Sequence, residues 1–321
     1  MRTIAITKKC LEYEKKLILS SIEKDDKVLF FGNKQELLES EDIENIDIVF
    51  GEPGLSTIPF MKNLRWIQMT WAGANKYTAS AEVFDHIILT SASGAYGSVI
   101  SEYVISGILA LYRNLFLYRT QMKNGYWHKI ENEDTLEGKR ALILGTGNIG
   151  QETAKKLKCF GVYTVGISRT TRDKLLFFDE LYTIENLDDQ LQRADVVIIA
   201  LPGTAETKEM FDEERINKMK SNSMLVNVGR GFVVNTDALT NALHKGVLGG
   251  AVLDVTNPEP LPETHPLRYM GNVVLTPHIS GISWGENEFT RKRILDIFCE
   301  NIKRDSKGEL LKNMIDFSKG Y

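Results

Sequence analysis

This chain of 321 residues has few cysteines and no long apolar run. Each of these features excludes some classes of protein. The three cysteines, Cys10, Cys159 and Cys299, are too few and too scattered for a disulfide framework or a zinc motif. They indicate a reducing compartment, and no secretory-signal pattern opens the chain. No run approaches the ~20 apolar residues of a membrane helix. We therefore expect a cytoplasmic protein with no membrane partner and no bound metal.

The chain also has no large excess of positive or negative charge. Lys and Arg number 39 against 43 Asp and Glu, which leaves a net charge of −4. Nucleic-acid-binding surfaces are usually strongly basic, so we expect no nucleic-acid partner. The hydrophobic share of 43% and the charged share of 26% are typical of a soluble globular protein. At about 100–200 residues per domain, the length suggests two domains.

Short apolar segments alternate with helix-like segments at the start of the chain. Such alternation predicts βαβ units and a parallel sheet. The predicted strands are IAIT (4–7), KVLFF (27–31), DIVF (47–50), LRWIQMT (64–70) and IILTS (87–91), with helices over 8–22 and 33–40.

A long apolar stretch, 98–125, follows this first α/β region. Its apolar residues recur at helical spacing and cover more than one face, which predicts a helix buried on several sides. Such a helix can pack between domains or across a dimer, or it can be an ordinary core helix. The sequence gives these alternatives about equal weight.

A second alternation of strands and helices occupies the rest of the chain. The predicted strands are ALILG (141–145), YTVGI (163–167), a short LYTI (181–184), VVIIALP (196–202), MLVNVG (224–229), GGAVLDV (249–255) and NVVLTP (272–277). Helices are expected at 148–160, 212–219, 236–244 and from about 286. The whole chain therefore predicts an α/β fold with parallel sheets.

The segment GTGNIG places Gly145, Gly147 and Gly150 in the G-x-G-x-x-G pattern, between a strand and a helix. That context is typical of dinucleotide-binding proteins. Gly145 permits the tight turn, Gly147 lets the backbone approach a pyrophosphate, and Gly150 allows close packing of helix and strand. The helix N-terminus then receives the phosphates. A glycine turn without a ligand is the alternative.

The end of the next strand bears on which dinucleotide is bound. A site for the unphosphorylated cofactor usually has an acidic residue there, which binds the ribose 2′-hydroxyl. Ser168, Arg169, Thr170, Thr171 and Arg172 stand at this point instead. Hydroxyls and arginines suit a 2′-phosphate, so we favour NADP(H), with NAD(H) possible and a solvated polar loop as the alternative.

Three apolar runs near the C-terminus lead into residues that can carry out chemistry. MLVNVG precedes Arg230, GGAVLDV carries Asp254 and opens a loop with Glu259, and NVVLTP precedes His278. If these runs are neighbouring parallel strands, the side chains meet at the carboxyl edge of one sheet, where ligands bind.

This combination suggests proton transfer on a small acid. A carboxylate at Glu259, in a loop stiffened by prolines, would fix the tautomer of His278. The other ring nitrogen could then exchange a proton with a carbonyl oxygen. The guanidinium of Arg230, between Gly229 and Gly231, could bind a carboxylate through two hydrogen bonds, and its flanking glycines would clear space for the ligand. A structural salt bridge is the alternative for Arg230.

The chain resembles the D-isomer-specific 2-hydroxyacid dehydrogenase family over nearly its whole length. The motifs that carry the resemblance are LEGKRALILGTGNIG (136–150), LPGTAET (201–207), NVGRG (227–231), LDVTNPEPLP (253–262) and TPHISG (276–281).

The resemblance implies a role for each matching residue. His278 is the acid–base, Glu259 its partner, Arg230 the substrate clamp, and Asp254 a contact of the nicotinamide. Further cofactor contacts are expected at Gly145, Gly147, Asn148, Ile149, Gly150, Pro202 and Thr207, in addition to Ser168, Arg169 and Thr170 at the strand end described above. WAGANKY (71–77) resembles the family loop whose amides, here of Ala72 and Gly73, hold the substrate carboxylate.

The family also implies two doubly wound parallel-sheet domains, one Rossmann-like and one flavodoxin-like, with a cleft between them. Residues 1–97 and 287–321 would form the substrate-binding domain and 98–286 the cofactor domain, with 98–125 helping to build a homodimer. The family loop usually reads A-G-V-D, but Ala74 and Asn75 stand in its last two positions, which leaves the substrate open. Trp71, Tyr96 and Trp284 could line the pocket or belong to the core.

We therefore expect an oxidoreductase that reduces a small 2-keto acid to a D-2-hydroxy acid. It would resemble the glyoxylate and hydroxypyruvate reductase branches, with hydride from the nicotinamide and a proton from His278. The alternative is a regulator that binds a nicotinamide dinucleotide on the same fold, in the manner of a corepressor.

Overall fold

The computed structural model describes residues 1–170, 174–281 and 287–320. Thr171, Arg172 and Trp284, which the sequence analysis considered, lie outside the described residues. The chain divides into two compact units. The first comprises Met1–Tyr96 and the described part of Ile282–Tyr321, and the second is Gly97–Gly281.

The strands and helices follow the predicted alternation. The strands are β1 Thr3–Ile6, β2 Lys27–Phe30, β3 Ile48–Phe50, β4 Trp66–Gln68, β5 Ile88–Thr90, β6 Arg140–Leu144, β7 Tyr163–Ser168, β8 Glu180–Thr183, β9 Val196–Ile199, β10 Met224–Asn227, β11 Gly250–Leu253 and β12 Val273–Leu275. The helices are α1 Glu12–Leu19, α2 Lys34–Leu38, α3 Asn75–Thr78, α4 Gly97–Tyr112, α5 Leu115–Lys123, α6 Asn148–Cys159, α7 Leu187–Leu191, α8 Glu213–Asn217, α9 Thr236–His244 and α10 Glu288–Ser306.

The first unit contains a five-stranded parallel sheet in the order β2-β1-β3-β4-β5. This is the doubly wound order found in flavodoxin. The inner strand β1 is buried throughout, as expected for a sheet covered on both faces. Helix α10 packs on this sheet through Phe298, whose ring stacks on that of Phe50 at a centroid distance of 4.5 Å.

The second unit contains a seven-stranded parallel sheet in the order β12-β11-β10-β9-β6-β7-β8. The chain order reverses beside β6, which lies between β9 and β7. Ligands bind at such a reversal, beyond the carboxyl ends of the strands. The predicted fold of two parallel-sheet α/β domains is confirmed.

The prediction of one continuous helix over 98–125 is wrong, because the stretch forms two helices, α4 and α5. Helices α4 and α5 meet at an angle of 61°. Asn114 separates them, with a left-handed φ of 51° that ends α4. Half of the residues of α4 are buried, whereas α5 has no buried residue, so burial on several sides holds for α4 alone.

The apolar character of α4 follows from its packing within its unit. A Cβ on Gly107 would lie 2.5 Å from a methyl carbon of Val252 on β11, so the helix and the sheet are in close contact there. Among the described residues no single helix is long and apolar enough to cross a membrane, although the bent pair α4 and α5 passes that test of length and composition together.

Candidate active site

The glycine-rich turn follows β6, at the reversal of strand order. Gly145 has a φ of +99°, and a Cβ there would lie 2.6 Å from the carbonyl oxygen of Ala200. A Cβ on Gly150 would lie 2.0 Å from the carbonyl oxygen of Gly145. A Cβ on Gly147 would meet no atom within 4 Å. Two glycines are therefore required by packing, and the third leaves space beside the turn for a ligand.

The N-terminus of α6 has the geometry that can bind an anion at this turn. Gly147 precedes the helix and provides no side-chain cap, so the first amides are available to a phosphate. The side chain of Asn148 is engaged elsewhere, since its oxygen accepts from the amide of Gly97 at 3.0 Å. The residues present thus fit a dinucleotide through backbone groups.

The end of β7 presents polar side chains beside this turn. Ser168 donates to the carbonyl of Thr170 at 2.8 Å, and Arg169 and Thr170 are exposed. No acidic residue occurs among the described residues 168–170 at this strand end. This strand end therefore carries hydroxyls and one guanidinium, which are groups that can bind a phosphate.

The loop after β9 is held in shape by Thr207. Its hydroxyl donates to the carbonyl of Pro202 at 2.9 Å and accepts from the amide of Thr204 at 2.9 Å. Residues 202–207 therefore form a closed turn at the carboxyl edge of the same sheet. The glycine-rich turn follows β6, which is the neighbour of β9 in this sheet.

Strands β10, β11 and β12 are neighbours and run parallel, so the condition stated for these three runs is met. Arg230, Asp254 and His278 follow these three strands in turn. Their positions at successive strand ends bring the three residues to one edge of the sheet.

His278 and Glu259 form a direct pair at this edge. The ring nitrogen Nδ1 of His278 lies 2.6 Å from Oε1 of Glu259. The side chains are 48% and 43% exposed, so the pair is open to a ligand. If the carboxylate is ionised it can only accept, which places a proton on Nδ1 and leaves Nε2 as the nitrogen that can exchange one with a ligand.

Arg230 lies beside this pair and is partly buried. Its Nη1 donates to the carbonyl of Gly229 at 2.8 Å. Burial lowers the pKa of the Arg230 guanidinium, and the charge of Glu259 opposes that shift. Even so, a guanidinium remains charged at neutral pH. The carboxylate of Glu259 therefore interacts with two groups: it contacts the imidazole of His278 directly, and its charge acts on the guanidinium of Arg230.

The glycines that flank Arg230 serve packing, contrary to the expectation that they clear space for a ligand. A Cβ on Gly229 would lie 2.6 Å from the carbonyl oxygen of Leu201, and one on Gly231 would lie 1.9 Å from that of Thr256. Backbone from the neighbouring loops occupies the space that a side chain would need. Gly231 thereby lets the loop that carries Glu259 lie close to Arg230, and Gly229 lets the loop after β9 do the same.

Asp254 is the buried member of the group, with 1% of its surface exposed. Its carboxylate accepts from the amides of Ile279 and Ser280, at 2.8 and 2.9 Å, and from the hydroxyl of Thr276 at 2.7 Å. Sequence reasoning did not identify Thr276 as part of the site. Its place directly before Pro277 and His278 in the TPH motif was the available signal.

A cavity of about 460 Å³ adjoins these residues. Asp254, Glu259, Thr276 and His278 are among its lining residues, together with Arg268. Arg268 also donates through Nε to the carbonyl of Pro262 at 3.0 Å, which fixes the proline-rich loop that carries Glu259. The cavity is large enough for a small organic ligand.

The loop expected to hold a substrate carboxylate belongs to the first unit. Ala72 and Gly73 lie between β4 and α3, next to Trp71, whose side chain is 40% exposed. Tyr96 is 8% exposed and its hydroxyl donates to the carbonyl of Thr70 at 2.5 Å, so it belongs to the core. In the described part of the chain no group of three or more His, Cys, Asp or Glu residues could hold a metal ion.

A parallel sheet with a glycine-rich turn at its switch point and a helix N-terminus beyond it defines the class of dinucleotide-binding α/β proteins. The family model of the D-isomer specific 2-hydroxyacid dehydrogenase, NAD binding domain, matches residues 105–280 of the chain. The chain belongs to the D-isomer specific 2-hydroxyacid dehydrogenase family.

Individual relatives agree with this membership. A glyoxylate reductase of Thermofilum pendens is 34% identical over 240 residues, which cover 70% of this chain and 66% of the relative. A crystal structure of a D-isomer specific 2-hydroxyacid dehydrogenase family protein from Aeromonas salmonicida is 34% identical, with a TM-score of 0.87 and coverage of 98% and 99% of the two chains. A D-isomer specific 2-hydroxyacid dehydrogenase from Xanthobacter autotrophicus, in complex with NADPH and MES, is 25% identical, with a TM-score of 0.83 and coverage of 100% and 99%.

Proposed function

We propose that this protein is an NADP(H)-preferring reductase that converts a small 2-keto acid to a D-2-hydroxy acid. The observation that carries the proposal is the Glu259–His278 pair, at 2.6 Å, on the same sheet edge as the glycine-rich turn. An acid–base group and a dinucleotide site at one edge are what reduction of a carbonyl requires. The glyoxylate reductase of Thermofilum pendens supports the choice of a 2-keto acid as substrate.

Each residue of the group has a distinct task in this proposal. His278 gives a proton from Nε2 to the carbonyl oxygen, while Glu259 holds Nδ1 and so fixes the tautomer. Arg230 binds the substrate carboxylate and polarises the neighbouring carbonyl. In the first unit, the amides of Ala72 and Gly73 are proposed as donors to a carboxylate. The nicotinamide, when bound, supplies the hydride.

The cofactor would be held mainly by backbone groups. The amides at the start of α6, at Asn148 and Ile149, would bind the pyrophosphate, with Gly145, Gly147 and Gly150 shaping the turn. Pro202 and Thr207 would line the same edge, and Asp254 would lie on the nicotinamide side of the cavity that it shares with His278.

The preference for NADP(H) over NAD(H) is part of the same proposal. Ser168, Arg169 and Thr170 would bind the 2′-phosphate, and no acid stands among them to repel it. The NADPH complex of the Xanthobacter autotrophicus relative supports this preference. The regulator that was the sequence-based alternative has no comparable support among the relatives described above.

The organisation of the molecule is proposed in the same way. The first unit would bind the substrate and the second the cofactor. A homodimer would form through the region 98–125, where α5 exposes apolar side chains, as an interface does. We propose the cytoplasm as the place of action, on the scarcity of cysteine.

The experiment that tests the function is a substrate panel. The purified protein is mixed with NADPH or NADH and with glyoxylate, hydroxypyruvate or a branched 2-keto acid, and loss of the reduced cofactor is followed by absorbance. His278→Gln should lower kcat by about 10²–10⁴-fold while cofactor binding is retained. His86→Gln, at an exposed position of the first unit, is the matched control and should leave kcat unchanged. Unchanged turnover in His278→Gln would overturn the assignment.

A further inference from the structure

Three consecutive amides of the loop after β12 donate to a single residue. The amide of His278 donates to the backbone carbonyl of Asp254 at 2.9 Å. The amides of Ile279 and Ser280 donate to its two carboxylate oxygens at 2.8 and 2.9 Å. The backbone that carries the imidazole is thus fixed to the end of the neighbouring strand, β11.

The conformation of His278 explains why it needs this support. Its φ is 56°, in the left-handed region that non-glycine residues rarely adopt. Such a conformation is strained and persists only where the surroundings enforce it. A left-handed residue also turns successive amides toward one point, which forms a concavity for an anion. The buried carboxylate of Asp254 is the anion in this concavity.

Two hydroxyls extend the arrangement behind the carboxylate. The hydroxyl of Thr276 lies 2.7 Å from Oδ1 of Asp254, and the hydroxyl of Tyr103 lies 2.6 Å from that of Thr276. An ionised carboxylate only accepts, so Thr276 uses its one proton there and must accept from Tyr103. Burial raises the pKa of Tyr103 to about 12, so the phenol keeps the proton that it donates.

We propose that Tyr103 and Thr276 are positioning residues of the acid–base, acting on His278 through Asp254. Tyr103 is on α4, so the chain of hydroxyls connects the core helix to the catalytic loop within one unit. By directing the carboxylate, the two hydroxyls hold the backbone of 278–280 in the conformation that brings Nδ1 to Glu259. The proposal rests on the proposed function for its kinetic consequences, but not for its structural ones.

The first test is kinetic. Thr276→Val removes the hydroxyl at nearly constant volume, Thr276→Ser restores it, and Tyr103→Phe removes the outer donor. We expect Thr276→Val to lower kcat on the order of 10–100-fold with little change in the KM of the cofactor, and Thr276→Ser to recover most of the loss. Thr240→Val, which removes a hydroxyl bonded to the carbonyl of Thr236 on α9, is the matched control and should leave kcat unchanged.

The second test reads the imidazole itself, in protein free of cofactor. Nitrogen-15 NMR of histidine-labelled protein distinguishes the two tautomers, and His278→Gln identifies the signal among the five histidines. The parent protein should show one tautomer, with the proton on Nδ1, whereas Thr276→Val and Tyr103→Phe should show a mixture.

The outcomes separate the two proposals. An unchanged tautomer and an unchanged kcat in Thr276→Val would overturn the positioning role. A loss of kcat that Thr276→Ser does not recover, with the tautomer unaltered, would overturn it as well. If the parent protein reduces no 2-keto acid, the proposed function fails, while the tautomer measurement still decides the role of the hydroxyls.

Discussion

The carboxylate of Glu259 lies 2.6 Å from Nδ1 of His278, although the two residues belong to different loops and are 19 positions apart. The loop of Glu259 is fixed by Arg268, and the loop of His278 by Asp254. Each partner is thus held by a support of its own, which fixes the geometry of the pair.

This pairing predicts the effect of removing the charge of Glu259. Glu259→Gln keeps the shape of the side chain, but its amide nitrogen can donate to Nδ1 and so favour the wrong tautomer. We expect kcat to fall by about 10²-fold or more, with cofactor affinity unchanged. Steady-state kinetics and cofactor titration measure both. Glu263→Gln, in the same proline-rich loop, should behave as the parent protein, and equal kcat values in the two variants would contradict the role of Glu259.

The polar end of β7 predicts the cofactor preference. Ser168→Asp combined with Arg169→Ala introduces the acid that binds a ribose 2′-hydroxyl and removes a charge-assisted bond to the 2′-phosphate. Such a bond contributes about 1.5–3 kcal/mol, so the ratio of NADPH to NADH affinity should fall by about 10–100-fold or more. Fluorescence titration with both cofactors measures the ratio. Tighter binding of NADH by the parent protein would refute the preference.

The strands around the site could be predicted from the sequence because each strand leaves a local mark. Parallel strands appear as short apolar runs, and Arg230 and His278 come shortly after the ends of two of them, β10 and β12. The predicted ends were less accurate. Ala200 and Leu201 continue the apolar run of β9, but the strand ends at Ile199, because an apolar residue in the following loop cannot be distinguished from one in the strand.

Other features left no such mark. No glycine or proline announces the break between α4 and α5, and only the left-handed tendency of Asn114 could have suggested it. The contact of Tyr103 with Thr276 joins residues 173 positions apart, which no local pattern can show. The packing of Gly229 against Leu201 likewise depends on how two loops meet.

The glycine-rich turn predicts two different phenotypes for two alanines. A Cβ on Gly147 meets no protein atom within 4 Å, so Gly147→Ala should fold normally and weaken dinucleotide binding by crowding the pyrophosphate. A Cβ on Gly150 would lie 2.0 Å from a backbone oxygen, so Gly150→Ala should lower stability by about 1–3 kcal/mol. Thermal unfolding and cofactor titration separate the two. If Gly147→Ala binds the cofactor as tightly as the parent protein does, the pyrophosphate does not bind next to this glycine.

The exposed face of α5 predicts the effect of a charge on association. Phe116 and Leu117 are 48% and 43% exposed, and we propose that a second copy of the chain covers them. Phe116→Asp should shift the dimer toward monomer in light scattering coupled to gel filtration, because a buried unpaired charge is costly. Phe289→Asp, on α10 at a residue 69% exposed, is the control and should remain dimeric. A monomeric parent protein would refute this interface.

Acid sensitivity of the first unit is predicted from Asp305, at the end of α10. Arg65 donates to its two carboxylate oxygens at 2.7 Å each, and Arg2 donates at 2.9 Å. Burial acts to raise the pKa of Asp305, but the hydrogen bonds from Arg65 and Arg2 outweigh it and hold the pKa below the ordinary value of 3.8. The carboxylate therefore stabilises the folded unit only while it is ionised.

The sign of the pH dependence follows from this depressed pKa. The stabilisation is fully present above the unfolded-state pKa and is lost as the pH falls through the lower folded-state pKa. Asp305→Asn should therefore reduce the free energy of unfolding by about 1.5–3 kcal/mol near neutral pH, and the difference from the parent protein should shrink below about pH 4. Asp296→Asn removes an exposed pair with Lys292 on the same helix and should cost about 0.5 kcal/mol or less. Urea unfolding at neutral and acidic pH measures both variants, and a difference for Asp305→Asn that does not change with pH would show that its ion pairs are not the source of the stability.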